Sequence, residues 1–483
     1  MGQAYVARSI NAEDNRLVNL FPEAIPDGGK EAGFLNRAPG LQFLQTIGSG
    51  PIRALWAHQT NGSDFYVVSG VEVYKLTGTN AVPVKIGDVS GSGPVSIADN
   101  GATLFFACNG PSYTYFEPTG EFNQITDPNF PGAVTVAYID NLFVFNEPNS
   151  QRIWSVDSVD PASATYIYPL VFNSLDFSSA DGSPDGVVAL AVDHREMWVF
   201  GTDSVEVWYD AGLANFPLTR IQGAFNEIGC VAAFSIAKLD NALFWLGTDA
   251  RGQGIVYRNN GYSGVRVSTH AIEYAIAQYG NISDAVAYTY QQEGHAFYVL
   301  IFPSAGKTWV YDVSVQAWHE RAGFANGEFT RHRSNCQMSF NNEIIVGDYQ
   351  TGVIYAFDLE TYADNGQIQK WLRSWRALPT GQNNLKRTAQ HTLQLDCESG
   401  VGLNLGQGSD PEVMLRWSDD GGHTWSNEHW ATIGKIGQYY RRVFWRRLGM
   451  TLKLRDRVYE LSGTDPVKIA IMGAEVLISP TNA

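Results

Sequence analysis

Val187-Val-Ala-Leu-Ala-Val192, Glu196-Met-Trp-Val-Phe-Gly201 and Ser204-Val-Glu-Val-Trp-Tyr209 are three consecutive strand-like runs joined by tight turns. They decide the fold because the same triplet recurs along the chain: an apolar run ending near Asp, Asn or Gly, a second ending near Gly, and a third carrying an aromatic. Three copies precede it. They are 52–59, Asp64-Phe-Tyr-Val-Val-Ser-Gly70 and 72–76; then 95–100, Thr103-Leu-Phe-Phe-Ala-Cys-Asn-Gly110 and 113–116; then 134–140, 142–145 and Arg152-Ile-Trp-Ser-Val156. Three follow it, at 231–257, 284–312 and 335–358. Successive copies lie roughly 40–55 residues apart, the length of one four-stranded propeller blade. A blade is sandwiched between its neighbours, so its strands read as apolar runs more than as strict alternation. Closing the ring hides most strand edges. The pattern predicts an all-β chain with a β-propeller of about seven blades over 51–366. A large β-sandwich of similar short strands is the competing architecture.

Composition supports short strands. The chain has 483 residues, 44% hydrophobic and 17% charged, with 13 Trp, 23 Tyr and 25 Phe. That is too apolar and aromatic for disorder. Forty-eight Gly and 20 Pro supply turns, whereas long surface helices would need more Glu, Lys and Arg. A formal charge of −16 argues against a binder whose affinity comes from phosphate neutralisation. No window approaches 18 consecutive apolar residues, so no membrane insertion is expected. Residues 1–6 carry no basic, apolar leader, and Val6 stands where a myristoylation motif needs Ser or Thr. Cys108, Cys230, Cys336 and Cys397 are far apart and are expected as reduced, buried thiols, in a chain made outside an oxidising route.

The flanks differ from the repeat. Residues 1–50 are expected as an N-terminal arm packing on the propeller and completing a blade. From Gln367 onward there are 15 Lys/Arg and 11 Asp/Glu, net +4; the preceding 366 residues hold 18 and 38, net −20. Runs such as Thr392-Leu-Gln-Leu-Asp396, Val413-Met-Leu-Arg-Trp417 and Arg442-Val-Phe-Trp445 predict a C-terminal β-sandwich over 367–483. The charge asymmetry suggests that one end meets something acidic, such as a neighbouring subunit's propeller. One helix is predicted over 270–278, capped by Thr269 and ended by Gly280.

The sharpest local motif is Ser418-Asp-Asp420-Gly-Gly422-His-Thr424-Trp425, an Asp-box in which Ser418, Asp420, Gly422, Thr424 and Trp425 fill the specified positions. Its physics is that of a turn: Asp hydrogen-bonds the backbone, Gly supplies an unusual φ and Trp packs beneath. It resembles motifs of sialidases and other glycan-processing propellers, which raises a glycan-binding or glycan-hydrolysing alternative. A single copy outside the repeat speaks for a structural turn. The nine His lack metal-ligand spacing, although His423 and His429 flank this turn, and neither a nucleophile elbow nor a phosphate loop is present. The acidic stretch 176–186 lacks the alternating ligands of a calcium loop. No catalytic group, cofactor or metal is therefore expected. The basic run Arg441, Arg442, Arg446 and Arg447, with Lys453, Arg455 and Arg457, is the candidate subunit or partner interface. Alternation would place Arg442, Phe444 and Arg446 on one face, with Arg441, Val443, Trp445 and Arg447 on the other.

Several stretches in joint order resemble one family, the packaged-DNA stabilisation proteins (tail hubs or nozzles) of short-tailed bacteriophages. They are Gly87-Asp-Val-Ser-Gly-Ser-Gly-Pro-Val-Ser-Ile-Ala98, Ser183-Pro-Asp-Gly-Val-Val-Ala-Leu190 through Gly201-Thr-Asp-Ser-Val-Glu206, and Val18-Asn-Leu-Phe-Pro22 with Pro39-Gly-Leu41. At the C-terminal end are Trp417-Ser-Asp-Asp-Gly-Gly422 and Trp445-Arg-Arg-Leu-Gly449. The resemblance implies a virion tail protein assembled in the host cytoplasm and forming a homohexameric ring below the portal and adaptor. It implies contacts with tailspikes or fibres and with a tail needle or plug. Double-stranded DNA would pass through without specific binding. A receptor-binding tail component without a conduit is a further alternative.

Overall fold

Seven antiparallel sheets stand around one axis in the computed structural model, which describes residues 3–8, 14–25, 31–58, 62–160, 162–250, 252–377, 386–452 and 456–481. The first blade is Ile52–Ala57, Phe65–Ser69, Glu72–Leu76 and Val84–Asp88. The second is Ser96–Asp99, Thr103–Ala107, Ser112–Phe116 and Glu121–Gln124. The third is Val136–Ile139, Leu142–Asn146, Arg152–Asp157 and Phe177–Ser179. The fourth is Val187–Asp193, Glu196–Gly201, Val205–Asp210 and Leu218–Asn226. In the fifth, the innermost position is divided between Gly229–Cys230 and Ala237–Leu239, followed by Ala242–Asp249, Gly252–Asn260 and Ser263–Arg266. The sixth is Val286–Gln292, His295–Phe302, Lys307–Asp312 and Ala317–Glu320. The seventh has Ser334–Phe340, Glu343–Asp348 and Val353–Asp358, and takes Gly40–Thr46 as its outermost strand.

The turns explain the Asn, Asp and Gly that punctuate the repeat. Asp140-Asn141, His194-Arg195, Asp240-Asn241 and Asn341-Asn342 have positive φ at both residues, each pair joining the first two strands of a blade. Two left-handed residues make the hairpin turn whose twist matches that of the strands, and Asn and Asp tolerate it best. Most neighbouring blades meet through aromatic pairs, Tyr66 with Tyr115, Phe105 with Phe145, Phe200 with Trp245, Phe244 with Tyr298 and Tyr290 with Phe357, while the third and fourth pack through Val144, Leu190, Met197 and Val199. Phe340 of the seventh blade meets Phe65 of the first, ring centroids 4.9 Å apart, so the ring closes. The inner strands converge on a 300 Å³ cavity to which every blade contributes, among them Leu55, Ile97, Thr135, Leu190, Phe234, Tyr288 and Cys336.

The N-terminal segment does more than pack along the propeller. Leu17–Val18 pairs in parallel with the sixth blade's outer strand (Val18 with Glu320) and antiparallel with Trp371–Arg376 (Val18 with Leu372). The sixth blade thereby continues through Val458–Gly463 and Glu412–Ser418 to His429–Thr432, one nine-stranded sheet crossing from propeller to sandwich. Leu20–Ala24 and Gly33–Arg37 join the second sandwich sheet beside Ala470–Pro480, Thr388–Cys397 and Val443–Arg446. Leu17, Leu20 and Leu35 lie in the sandwich core with Trp371, Leu393, Leu415, Tyr459 and Leu461. Two polar groups fix this seam. The buried Asn19 donates to the carbonyls of Ala322 (2.8 Å) and Lys370 (2.7 Å) and accepts from the Ala322 N–H (3.0 Å). Arg37, also buried, donates to the backbone carbonyls of Tyr362, Asp465, Val467 and Gln369 and to the Gln369 side chain.

The helix is His270–Ala277, with the Thr269 hydroxyl accepting from the Ile272 N–H, as expected. Cys108 and Cys230 are buried, Cys336 and Cys397 half-buried, and all four are free thiols. No described helix is long and apolar enough to cross a membrane.

Candidate functional site

The Asp-box turn follows the strand Glu412–Ser418, and its side chains are spent on holding the turn. The Asp420 carboxylate accepts from the N–H groups of His423 (3.0 Å) and Thr424 (2.9 Å) and from the hydroxyls of Thr424 (2.6 Å) and Ser418 (2.7 Å). These donors favour the charged form and hold its pKa well below the usual carboxylate range, the Thr424 hydroxyl contributing most. Ser418 Oγ accepts from the Gly422 N–H, and Gly422 sits at φ 102°. The Trp425 indole N–H donates to the Gly422 carbonyl, while Arg416 lies over its ring. His429 stacks on Trp417, and His423 enters through its backbone. A carboxylate held in its charged form by four donors is a poor proton donor, so the arrangement is that of a clamp. In the 176–186 stretch, Asp185 likewise brackets a turn, accepting from the N–H groups of Asp203 and Ser204 and from the Ser204 hydroxyl. Among the described residues no group of three or more His, Cys, Asp and Glu is placed to hold a metal.

The basic run divides. Val443–Arg446 is a short edge strand in which Val443 and Trp445 are buried and Phe444 and Arg446 exposed. Arg442 lies on the exposed side, reaching Gln394 Oε1 at 2.7 Å, and the Arg446 guanidinium covers the Phe444 ring at 4.4 Å. Arg441 and Arg447 do not join the inner face that alternation assigns them. Both are exposed, because the strand is only four residues long and Arg447 leaves it at φ 59°. Arg457 is not part of this surface at all. It is 1% exposed, grips Asp419 with two contacts, donates to the Leu448 and Met450 carbonyls and lies over Trp417. Lys453 and Arg455 lie outside the described residues.

Sequence reasoning stopped short of the exposed rings beside this run. Tyr439 and Tyr440 are 76% and 84% exposed and precede Arg441 directly, a signal the sequence did contain. The sandwich's own ion pairs lie elsewhere: Arg376 with Asp456, Arg416 with Glu460, Lys435 with Asp410, Arg457 with Asp419 and Lys468 with Glu398.

Residues 2–362 match a family model described as Bacteriophage P22 Gp10, beta-propeller, and residues 370–479 one described as Bacteriophage P22 Gp10, beta-sandwich. No curated protein matches the chain. Solved structures with similar backbones include the mitotic checkpoint complex (11% identity, 66% of this chain and 93% of that chain, TM-score 0.40). The N-terminal domain of Nup159 (8%, 70% and 97%, 0.38) and the Cps50 (Swd1) beta-propeller domain of Myceliophteria thermophila (9%, 65% and 98%, 0.41) are others. None of the three bears on what this chain does.

Proposed function

This chain belongs to the bacteriophage P22 Gp10 family of phage structural proteins, and from that membership we propose that it is the hub, or nozzle, of a phage tail. Six copies form a ring below the portal and adaptor, continue the DNA channel, retain the packaged genome with a needle or plug, and dock tailspikes or fibres. The observation that carries this reading is the tandem match of both family domains, in order, over 2–362 and 370–479.

Two physical features support it. Side chains from every blade close in on the 300 Å³ cavity on the propeller axis, which supports a conduit formed between copies rather than through a single propeller. At −16 per copy, a ring of six carries roughly −100, a field that repels phosphate and adds no counterion-release affinity. DNA then slides through without sticking. The role is mechanical, and the Asp-box is a turn clamp in it.

The test is electron microscopy of the purified full chain mixed with portal–adaptor assemblies. A sixfold collar extending the tail channel is the expected image. A strictly monomeric chain that never joins the assembly overturns the proposal.

A further inference from the structure

The chain's negative charge is unevenly placed. Residues 86–237, which span blades two to four, hold 18 Asp/Glu and three Lys/Arg. Within that region the outer side of the third blade combines charge with exposed apolar groups. The 158–176 connection leaves Val171 69%, Leu175 61% and Tyr166 48% exposed. At its two ends stand Asp157, exposed, and Asp176, half-buried. The two carboxylates are near enough that Asp157 adds to the burial that already pushes the Asp176 pKa up. The nearest arginine of the blade, Arg152, is directed to Glu147 and the Phe177 ring. A 350 Å³ cleft between blades three and four is lined by Ser179, Asp181, Trp208, Leu213, Phe216 and Arg220. The first blade differs: it exposes Val82 and Val84, but its carboxylates Glu72 and Asp88 already hold Lys85.

The sandwich presents the complement. Arg441, Arg442, Arg446 and Arg447 are exposed with Tyr439, Tyr440 and Phe444 on and beside an edge strand, and the ion pairs among the described residues of that domain involve none of the four. We propose that this arginine–tyrosine face of one copy docks on the Asp157/Asp176 and Val171/Leu175 patch of the next copy's third blade. Two different surfaces of one chain that fit each other make a head-to-tail contact, the kind that closes into a ring when the rotation allows. Apolar groups supply the contact area, and the opposite charges fix register and exclude wrong pairings.

The inference rests on the ring reading above, and the experiment separates the two. The full chain is compared by native mass spectrometry, alone and with portal–adaptor assemblies, with R442E/R446E, with D157R/D176R and with the fourfold variant. Asp157, Arg442 and Arg446 are exposed and Asp176 is half-buried, and unchanged thermal melts verify folding. Each double reversal is expected to weaken association about a hundredfold, and the fourfold variant to restore it. Mixing the two double variants is expected to restore rings of alternating copies, since each altered face then meets the other variant's altered face and each unaltered face meets the other's unaltered face. A wild type that forms rings while the reversals leave them intact overturns the docking surface and spares the function. Loss of only fibre or spike attachment in R442E/R446E also overturns it, by assigning the face to another protein. A wild type that never assembles overturns both.

Discussion

Arg457 and Asp419 lie side by side, Nε 2.7 Å from Oδ1 and Nη2 2.8 Å from Oδ2, beneath the turn that carries the Asp-box. The pair ties the strand Val458–Gly463 to the end of Glu412–Ser418, and the remaining guanidinium protons go to the Leu448 and Met450 carbonyls. Arg457→Met strands a carboxylate and two carbonyls, and is expected to cost about 3 kcal/mol, as removing one partner of a buried pair does. Arg442→Met, on the exposed face, is expected to change stability by less than about 0.5 kcal/mol. Urea unfolding of the full-length protein, followed by tryptophan fluorescence, measures both.

Asn19 holds three main-chain groups at the seam and sits at φ 53°, where Asn is tolerated and most side chains are strained. Asn19→Ala should cost about 1–3 kcal/mol through the stranded carbonyls and N–H. Asn19→Gly, free of the backbone strain, should recover part of that. Calorimetry should show the single unfolding transition of the parent splitting in the alanine variant, as propeller and sandwich melt apart.

Gly40 begins the strand that closes the seventh blade, and a Cβ there would land on the carbonyl oxygens of Thr361 and Ala363. Gly40→Ala is expected to destabilise by about 1–3 kcal/mol through overpacking. It should also speed hydrogen exchange in Val353–Asp358, the strand it pairs with. Gly280→Ala, where a Cβ meets open space, serves as the neutral comparison.

His332 is buried, and burial pushes its pKa down from 6.5 to about 3. Below its ordinary value the unfolded chain takes up a proton that the folded chain refuses. Stability therefore falls as pH drops from 6.5 towards 3, by up to about 1.4 kcal/mol per pH unit. Asp364 acts oppositely. Burial raises its pKa from 3.8 to about 7, so between those values the folded state keeps a proton that the unfolded state releases, and stability falls as pH rises. Urea midpoints between pH 4 and 7 should show a flatter acid limb in His332→Gln and a steeper one in Asp364→Asn.

Asp420→Ala removes four acceptor contacts from a solvent-exposed turn. The expected result is faster amide exchange at His423 and Thr424 with the propeller's protection unchanged, read by mass spectrometry.

The inner strands of each blade were legible because both faces are buried: Thr103–Ala107 and Leu142–Asn146 are apolar runs with no solvent side to interrupt them. Outer strands were not, since Val84–Asp88 and Glu121–Gln124 are mostly exposed and read as loops. The arm was expected to complete a blade, but which blade and with which strand was not legible, because Gly40–Thr46 and Val353–Asp358 lie some 300 residues apart and no local period reports such a pairing. The same holds for Leu17–Val18 between two domains. At the basic run, alternation assigned Arg442 through Arg446 correctly and misplaced Arg441 and Arg447, which lie outside the four-residue strand. Arg457, expected on the same surface because its sequence looks like its neighbours', is buried instead, held by an aspartate 38 residues upstream.

Residues 17–46 leave the ribosome long before any of their partners exist: Glu320 and Leu372 for one strand, Val353–Asp358 for another, Ala470–Pro480 for a third. At about 5–20 residues per second the nascent chain carries those bare strand edges for tens of seconds. Final folding thus waits until Ala470–Pro480 has been made, with slow non-local pairing as its last step.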